Sequence, residues 1–471
     1  MTAASADYRS SAPSRRTLEL RLIVFSVVIA AAAYAIVSLS QDERIATSEI
    51  TYAASLTALF VGAHIAVRKL APGADPLMLP IATLLNGIGV VVIRRLDYAY
   101  KIRDAQADQN APQQLVWTAI GIAVFVLVLF IVRDHRTLDR YRYTLMFAGI
   151  ALLLLPAAPV VGRTINGARL WVRLGPVSFQ PSELAKLALV IFFASYFVAK
   201  REVLSLATRR FLGLHLPRPR DLGPVLIAWL ASLAVLVQLK DLGTSLLFFG
   251  VFLVMLYVAT ERTSWLAIGL LLFAGGSYFA YGLFGHVRVR FDTWLHPFAH
   301  PRGTGLQLTQ SLFGLATGGL TGTGLGRGRP DLVPFARTDF IFPAIGEELG
   351  LIGVVVILIC YLLIVSRGLR AALGVRDQFG KLLAAGLAFS LALQVFVVVG
   401  GVTRLIPLTG LTLPFLSYGG SSLVANYALI ALLMRISAAG RTPSPVPLAP
   451  MPPADQLTGE MTQVVSQRPL R

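Results

Sequence analysis

Charge is scarce in this chain. Asp, Glu, Lys and Arg make up 14% of its 471 residues, while 55% are hydrophobic. A soluble chain carries roughly 25% charged residues, so the deficit excludes an ordinary water-soluble fold. Cysteine is nearly absent too. Cys360 stands alone in an apolar run, which excludes a disulfide framework or a cysteine metal site within one copy. Acidic residues are scarcer than basic ones, 24 against 42, for a net charge of +18. In a soluble chain that excess would suggest nucleic-acid binding. Here the basic residues lie between apolar runs, and no basic patch is interleaved with aromatics on a soluble segment. Nucleic acid is therefore not an expected partner; the charge encodes orientation in a membrane.

Long apolar runs are abundant. A helix needs about 20 mostly apolar residues to cross the hydrocarbon core. Twelve runs qualify, at 22–39, 49–67, 77–93, 115–132, 144–161, 184–199, 222–239, 243–259, 264–285, 347–366, 382–402 and 419–434. The expected fold is an all-α, polytopic integral membrane protein of about 12 transmembrane helices embedded in membrane lipid. The run 77–93 is short enough to be re-entrant instead. Residues 1–18 are polar, and Ser14-Arg15-Arg16 brushes the twin-arginine pattern. The run that follows is long enough to span and eleven more succeed it, so it reads as an anchored first helix, not a cleaved signal. The tail after Arg435 is rich in Pro and polar residues and is expected to be disordered.

Basic residues cluster in alternate loops. Arg68-Lys69 form one group, and Arg133, Arg136, Arg140 and Arg142 the next. Lys200-Arg201, Arg209-Arg210, Arg218 and Arg220 follow, then Arg367, Arg370, Arg376 and Lys381. Such loops stay in the cytoplasm, which puts both termini inside. The external loop 286–346 breaks the pattern with Arg288, Arg290, Arg302, Arg327, Arg329 and Arg337. Guanidinium groups match phosphate in a bidentate way, so an anionic ligand explains them. The plainer alternative is a loop too long for its charges to affect topology.

Four segments on that external face are unusually polar: 163–183, the turn Lys240-Asp241-Leu242-Gly243-Thr244, the loop ending Thr338-Asp339 before Glu347-Glu348, and 404–422. Glu183, Lys186, Asp241, Glu347 and Glu348 sit at helix ends, where an ionisable group is costly unless it faces protein or water. They are expected to pair around a wet cavity, with helix-end charge pairing alone as the plainer alternative. The glycines from Gly318 to Gly328 lack the Gly-Lys-Ser/Thr ending and the strand-then-helix context of a phosphate loop. Close backbone packing explains them better. His296 and His300 lie four apart, but Pro297 and Pro301 argue against a helix that would aim both at a metal.

Read together, these pieces resemble the SEDS family, the RodA/FtsW/SpoVE cell-wall polymerases of bacteria. The carriers are NGARLWVRLGPVSFQPSELAK, KDLGTSL, GTGLQLTQSL, GGLTGTGLG, TDFIFPAIGEELGLIG and PLTGLTLPFLSYGGSS, in family order over roughly 115–435. PLTGLTLP and the two extra N-terminal spans lean toward the actinobacterial RodA-like branch. The resemblance implies a cytoplasmic N-terminus (1–18), additional N-terminal helices (19–95), a family core (96–435) and a cytoplasmic tail (436–471). It implies a peptidoglycan glycosyltransferase in the bacterial cytoplasmic membrane. Its substrate would be lipid II, and its partners a class B penicillin-binding protein and the elongation or division machinery. The candidate substrate-binding residues on these pieces are Arg169, Glu183, Lys186, Lys240, Asp241, Arg288, Arg290, Gln310, Ser311, Asp339, Glu347, Arg404, Thr409, Ser417 and Tyr418. No cofactor is firmly implied; a divalent cation, Mg or Mn, is the one left open.

One departure concerns the chemistry. The family loop reads Asp-Pro-x-x-Asp-Pro-x-Gly-x-Gly-Tyr-Gln, and its second Asp is taken as the catalytic base. Here it reads His296-Pro297-Phe298-Ala299-His300-Pro301-Arg302-Gly303-Thr304-Gly305-Leu306-Gln307. Histidine suits Mg²⁺ poorly. Three readings stand. His300 serves as the base, since imidazole titrates near neutrality; or Asp292 has taken over; or the chain is a non-catalytic scaffold for its partner. A lipid-linked substrate transporter is the more distant alternative, since a polar cavity among many helices also suits transport.

Overall fold

The computed structural model describes residues 15–441 apart from 43–46, 105, 159–160, 166–167, 175–176, 203–206, 212–213, 218–229 and 231–240. The helices are α1 Arg15–Asp42, α2 Thr47–Leu70, α3 Met78–Arg103, α4 Asn110–Ile131, the single turn α5 Thr137–Arg140, α6 Arg142–Leu154 and α7 Ser182–Ala199. Beyond the undescribed stretch come α8 Leu242–Thr260, α9 Thr263–Leu283, α10 Gly285–Leu295, α11 Leu306–Gly318, α12 Ile341–Gly374, α13 Gln378–Val402 and α14 Gly420–Ala439. Among the described residues, ten helices are long and apolar enough to cross a membrane, and Arg142–Ala157 is a shorter apolar one. The chain is a polytopic, predominantly α-helical membrane protein. The expected span 222–239 lies outside the described residues.

The segment 77–93 is not re-entrant. α3 is one continuous helix of 26 residues, about 39 Å at 1.5 Å per residue, long enough to span. Its last two turns are polar, which made the run look short. Arg95 and Asp97 in its C-terminal half are nonetheless buried, because each has a partner, whereas Lys101 and Arg103 at its end are exposed. Arg95 Nε donates to Glu348 Oε1 (2.9 Å), and Asp97 accepts from the backbone N–H groups of Asn110 and Ala111 at the start of α4. Arg337 pairs with Asp97 at 3.3 Å.

The two N-terminal helices are joined to each other and to α3 by polar contacts as well as apolar ones. Glu19 is fully buried; it accepts from Arg16 and lies 2.8 Å from His64 Nδ1. Tyr52 donates to the Gly87 carbonyl of α3.

The polar segment 163–183 is not an open loop. It folds into an antiparallel sheet of β1 Gly162–Ile165, β2 Ala168–Leu174 and β3 Val177–Phe179. Two further strands, β4 Ala207–Phe211 and β5 Leu214–Pro217, pair as a hairpin.

The glycine-rich stretch is stitched to a break in α12. Gly350 has φ +66° inside that helix, a conformation glycine adopts at little cost. The N–H groups of Thr323 and Gly324 donate to the Glu347 and Glu348 carbonyls (both 3.0 Å), and that of Leu351 donates to Gly319 (2.9 Å). Glu348 also accepts from the Gly326 N–H. The glycines allow two backbones to lie side by side, as expected of close packing.

Candidate functional site

The four polar segments converge at one end of the bundle. Ser421 Oγ accepts from the Gln180 N–H, so the loop after β3 meets the start of α14. Asp241 caps α8 by accepting from the Thr244 N–H at 2.9 Å and from its hydroxyl. A Cβ on Gly243 would lie 2.9 Å from the Thr409 carbonyl, so the loop 403–419 rests directly on that helix start. Ser417 Oγ donates to the Thr338 carbonyl (2.6 Å), and the Tyr418 N–H donates to the Arg337 carbonyl (2.8 Å). These bonds anchor the chain just before Asp339.

The third and fourth of these segments line a cavity of about 320 Å³. Arg290 and Thr293 of α10 form one wall, Thr304 and Gln307 another, and Asp339 with Phe340 a third. Val398, Gly401 and Val402 of α13 and Leu408 to Leu411 complete it. Arg290 Nη1 donates to the Leu408 carbonyl at 2.8 Å. A Cβ on Gly410, whose φ is +77°, would stand 3.7 Å from Asp339 Oδ2 and 3.8 Å from Arg290 Nη2. Carboxylate and guanidinium thus border the same small space.

The electrostatics follow from this enclosure. Loss of water pushes the Asp339 carboxyl up to about 6; Arg290 opposes the rise and Asp241 adds to it. Burial likewise raises Asp241, against its bonds from Thr244 and the charge of Arg290. Burial lowers Arg290, against the pull of Asp241 and Asp339. Burial makes each charge act more strongly on its neighbours.

Of the sequence-nominated residues, Arg290, Asp339 and Thr409 line the cavity. Asp241 stands behind it. Glu183 and Lys186 form a buried pair (3.0 Å), and Lys186 also donates to Gln394 Oε1 at 2.7 Å. Gln394 in turn donates to the Thr412 carbonyl, tying the pair to the loop 403–419.

The others have different partners. Arg288 donates to the Gly282 carbonyl and lies over the Tyr281 ring. Arg404 grips the end of α10 through the Trp294 and Leu295 carbonyls. Ser311 donates to Val402, Tyr418 donates to Gln113, and Glu347 accepts from the Arg329 N–H. Gln310 is half-buried on α11 and is not among the residues lining the cavity. Lys240 and the side chain of Arg169 lie outside the described residues.

His300 is exposed on the turn between α10 and α11, where its carbonyl accepts from the N–H groups of Gly303 and Gly305. Asp292 is exposed on α10, 3.4 Å from the Tyr281 hydroxyl. Neither lines the cavity.

Sequence reasoning missed Thr293, Thr304, Gln307, Gln394 and Gly410. The signal for Thr304 and Gln307 was their place in the GTGLQ piece. Among the described residues, no three His, Cys, Asp or Glu side chains converge as metal ligands.

Comparison with known proteins agrees with this architecture. The peptidoglycan glycosyltransferase RodA of Mycobacterium tuberculosis is 52% identical over 432 residues, 92% of each chain. Stage V sporulation protein E of Bacillus subtilis is 35% identical over 378 residues, 79% of this chain and 98% of its own. A solved chain from "Structural coordination of polymerization and crosslinking by a peptidoglycan synthase complex" superposes with a TM-score of 0.63 at 29% identity, over 79% of this chain and 99% of that one. The rod shape determining protein RodA of Thermus thermophilus gives 0.54 at 27%, over 79% and 98%. A family model described as a cell cycle protein covers residues 76–442, from the loop before α3 to the end of α14, and the chain belongs to that FtsW/RodA/SpoVE family.

Proposed function

We propose that this chain is a peptidoglycan glycosyltransferase that polymerises lipid II. The carrying observation is the cavity shared by Arg290 and Asp339 in a family member, lined by the loop before α12 and by the segment 404–422. Glycosyl transfer from a lipid-linked pyrophosphate needs a group to accept a proton from the sugar hydroxyl and a positive charge for the leaving group. The cavity supplies one of each. The arginine pattern of the loops supports placing it on the outer face of the bacterial cytoplasmic membrane, with both termini inside. The rod shape determining relative supports a role in cell shape, and the solved chain from a complex that coordinates polymerization and crosslinking supports a crosslinking partner, for which we propose a class B penicillin-binding protein.

Arg290 would meet the pyrophosphate, and Thr409, Thr304 and Gln307 would hydrogen-bond the sugars. Glu183, Lys186 and Asp241 would hold the loop and helix start that shape the wall. A resident divalent ion does not fit the described donor set, since the cavity wall offers one carboxylate beside a guanidinium. No step is drawn through a metal.

The full chain, purified with its penicillin-binding partner, is expected to convert labelled lipid II into glycan strands resolved by gel electrophoresis. A well-formed complex that makes no polymer would sink the proposal. It would leave the second reading, a scaffold for the partner, which the histidines at 296 and 300 favour.

Gly410→Val tests the cavity itself. The positive φ costs about 1–2 kcal/mol, and the branched side chain enters the space between Asp339 and Arg290. The expected result is a loss of at least about tenfold in polymerisation with the variant still folded. An unchanged rate would place the reaction elsewhere.

A further inference from the structure

We infer that Asp339 takes the proton from the acceptor hydroxyl in this chain, with Arg290, which lines the same cavity, meeting the departing pyrophosphate. This rests on the glycosyltransferase reading above and names the base within it.

The argument is one of position. His296 and His300 are both exposed, and neither lines the cavity. Asp292 is exposed beside Tyr281. Glu183 is paired with Lys186, and both oxygens of Asp241 accept from Thr244. Asp339 is the one acidic side chain in the cavity wall among the described residues. The backbone just before it is held by Ser417 on Thr338 and by Tyr418 on Arg337, which keeps Asp339 in the cavity wall.

The charged groups facing Asp339 are Arg290 from α10 and Asp241 from the start of α8, acting in opposite directions. The result, about 6, gives a carboxylate that is mostly ionised near neutrality and more basic than an exposed one.

The step balances. The hydroxyl oxygen bonds to the anomeric carbon of the donor, whose bond to the pyrophosphate oxygen breaks. That electron pair leaves with the pyrophosphate, which gains one negative charge opposite Arg290. The hydroxyl proton passes to Asp339, which releases it to water.

The test is polymerisation of labelled lipid II by the full chain and its partner, comparing wild type with Asp339→Asn, Asp339→Glu, Asp292→Asn and His300→Ala. Asp339→Asn should lose on the order of 10²–10⁴ in rate while keeping its melting temperature and its binding of labelled lipid II. Asp339→Glu should recover part of the loss. Asp292→Asn and His300→Ala should stay within about threefold of wild type. The base works ionised, so the wild-type rate should fall as pH drops through about 6, and this limb should persist in His300→Ala. An Asp339→Asn variant as fast as wild type overturns the inference. So does a His300→Ala variant that is inactive or has lost the limb, a result readable even if Asp339→Asn does not fold. Either outcome leaves the glycosyltransferase reading intact. Wild type that makes no polymer removes both.

Discussion

Arg290→Met is expected to slow polymerisation by about 10²–10³-fold. Two effects combine. The guanidinium is the only cation in the cavity wall among the described residues, so its loss leaves the departing pyrophosphate without a counter-charge. It also opposes the rise of the Asp339 carboxyl. Without it that carboxyl rises further, and a larger share is protonated at pH 7, where a base is needed. The sign gives a second readout. Part of the lost rate should return as pH is raised to about 8, because the carboxyl then ionises again. The part due to the missing counter-charge should not return. Arg290→Lys, which keeps the charge but not the planar fork, should fall between the two. An Arg290→Met enzyme with wild-type rate and an unmoved acid limb would show that neither pyrophosphate nor Asp339 depends on this residue.

The membrane architecture was legible because it is written in composition. Apolar runs and alternating basic loops each follow from one physical cost, that of leaving charge in hydrocarbon. α3 was read short for the same reason, since hydropathy counts Arg95 and Asp97 as foreign to a bilayer and cannot see Glu348 and Arg337 waiting for them. The sheet at 162–179 was missed because a short polar segment between spans carries little periodic signal.

Arginine was only partly legible. Six stand in the loop 286–346, and an anionic ligand explains such a cluster as a group. Residue type does not say which one meets it. Arg290 reaches the cavity, whereas Arg288 and the neighbouring Arg404 spend donors on the carbonyls that close α9 and α10. A guanidinium with five donors serves either purpose. Gln307 and Gly410 reach the cavity only through folding of two distant segments, so spacing along the chain could not bring them together.

The second large effect concerns the scaffold. Arg95→Met should destabilise the protein by about 3–5 kcal/mol, because breaking a buried pair leaves an uncompensated charge. Arg95 Nε donates to Glu348 Oε1 at 2.9 Å, and Arg95 Nη2 donates to the Gly328 carbonyl at 2.8 Å; both side chains are about 95% buried. One guanidinium thus joins α3, the broken helix α12 and the glycine-rich stretch. After substitution, Glu348 keeps the Gly326 N–H as a donor but loses its cation, and the Gly328 carbonyl loses a donor. Against a total stability of roughly 5–15 kcal/mol, the loss should lower the melting temperature in detergent clearly. Arg95→Met with Glu348→Gln should recover much of it, since the neutral amide needs no counter-charge and still accepts from Gly326. The cavity lies among other residues, so polymerisation by the protein that remains folded should stay near wild type. An Arg95→Met variant that melts with wild type would show that the pair is dispensable; a double variant no better than the single would assign the cost to the Gly328 contact instead.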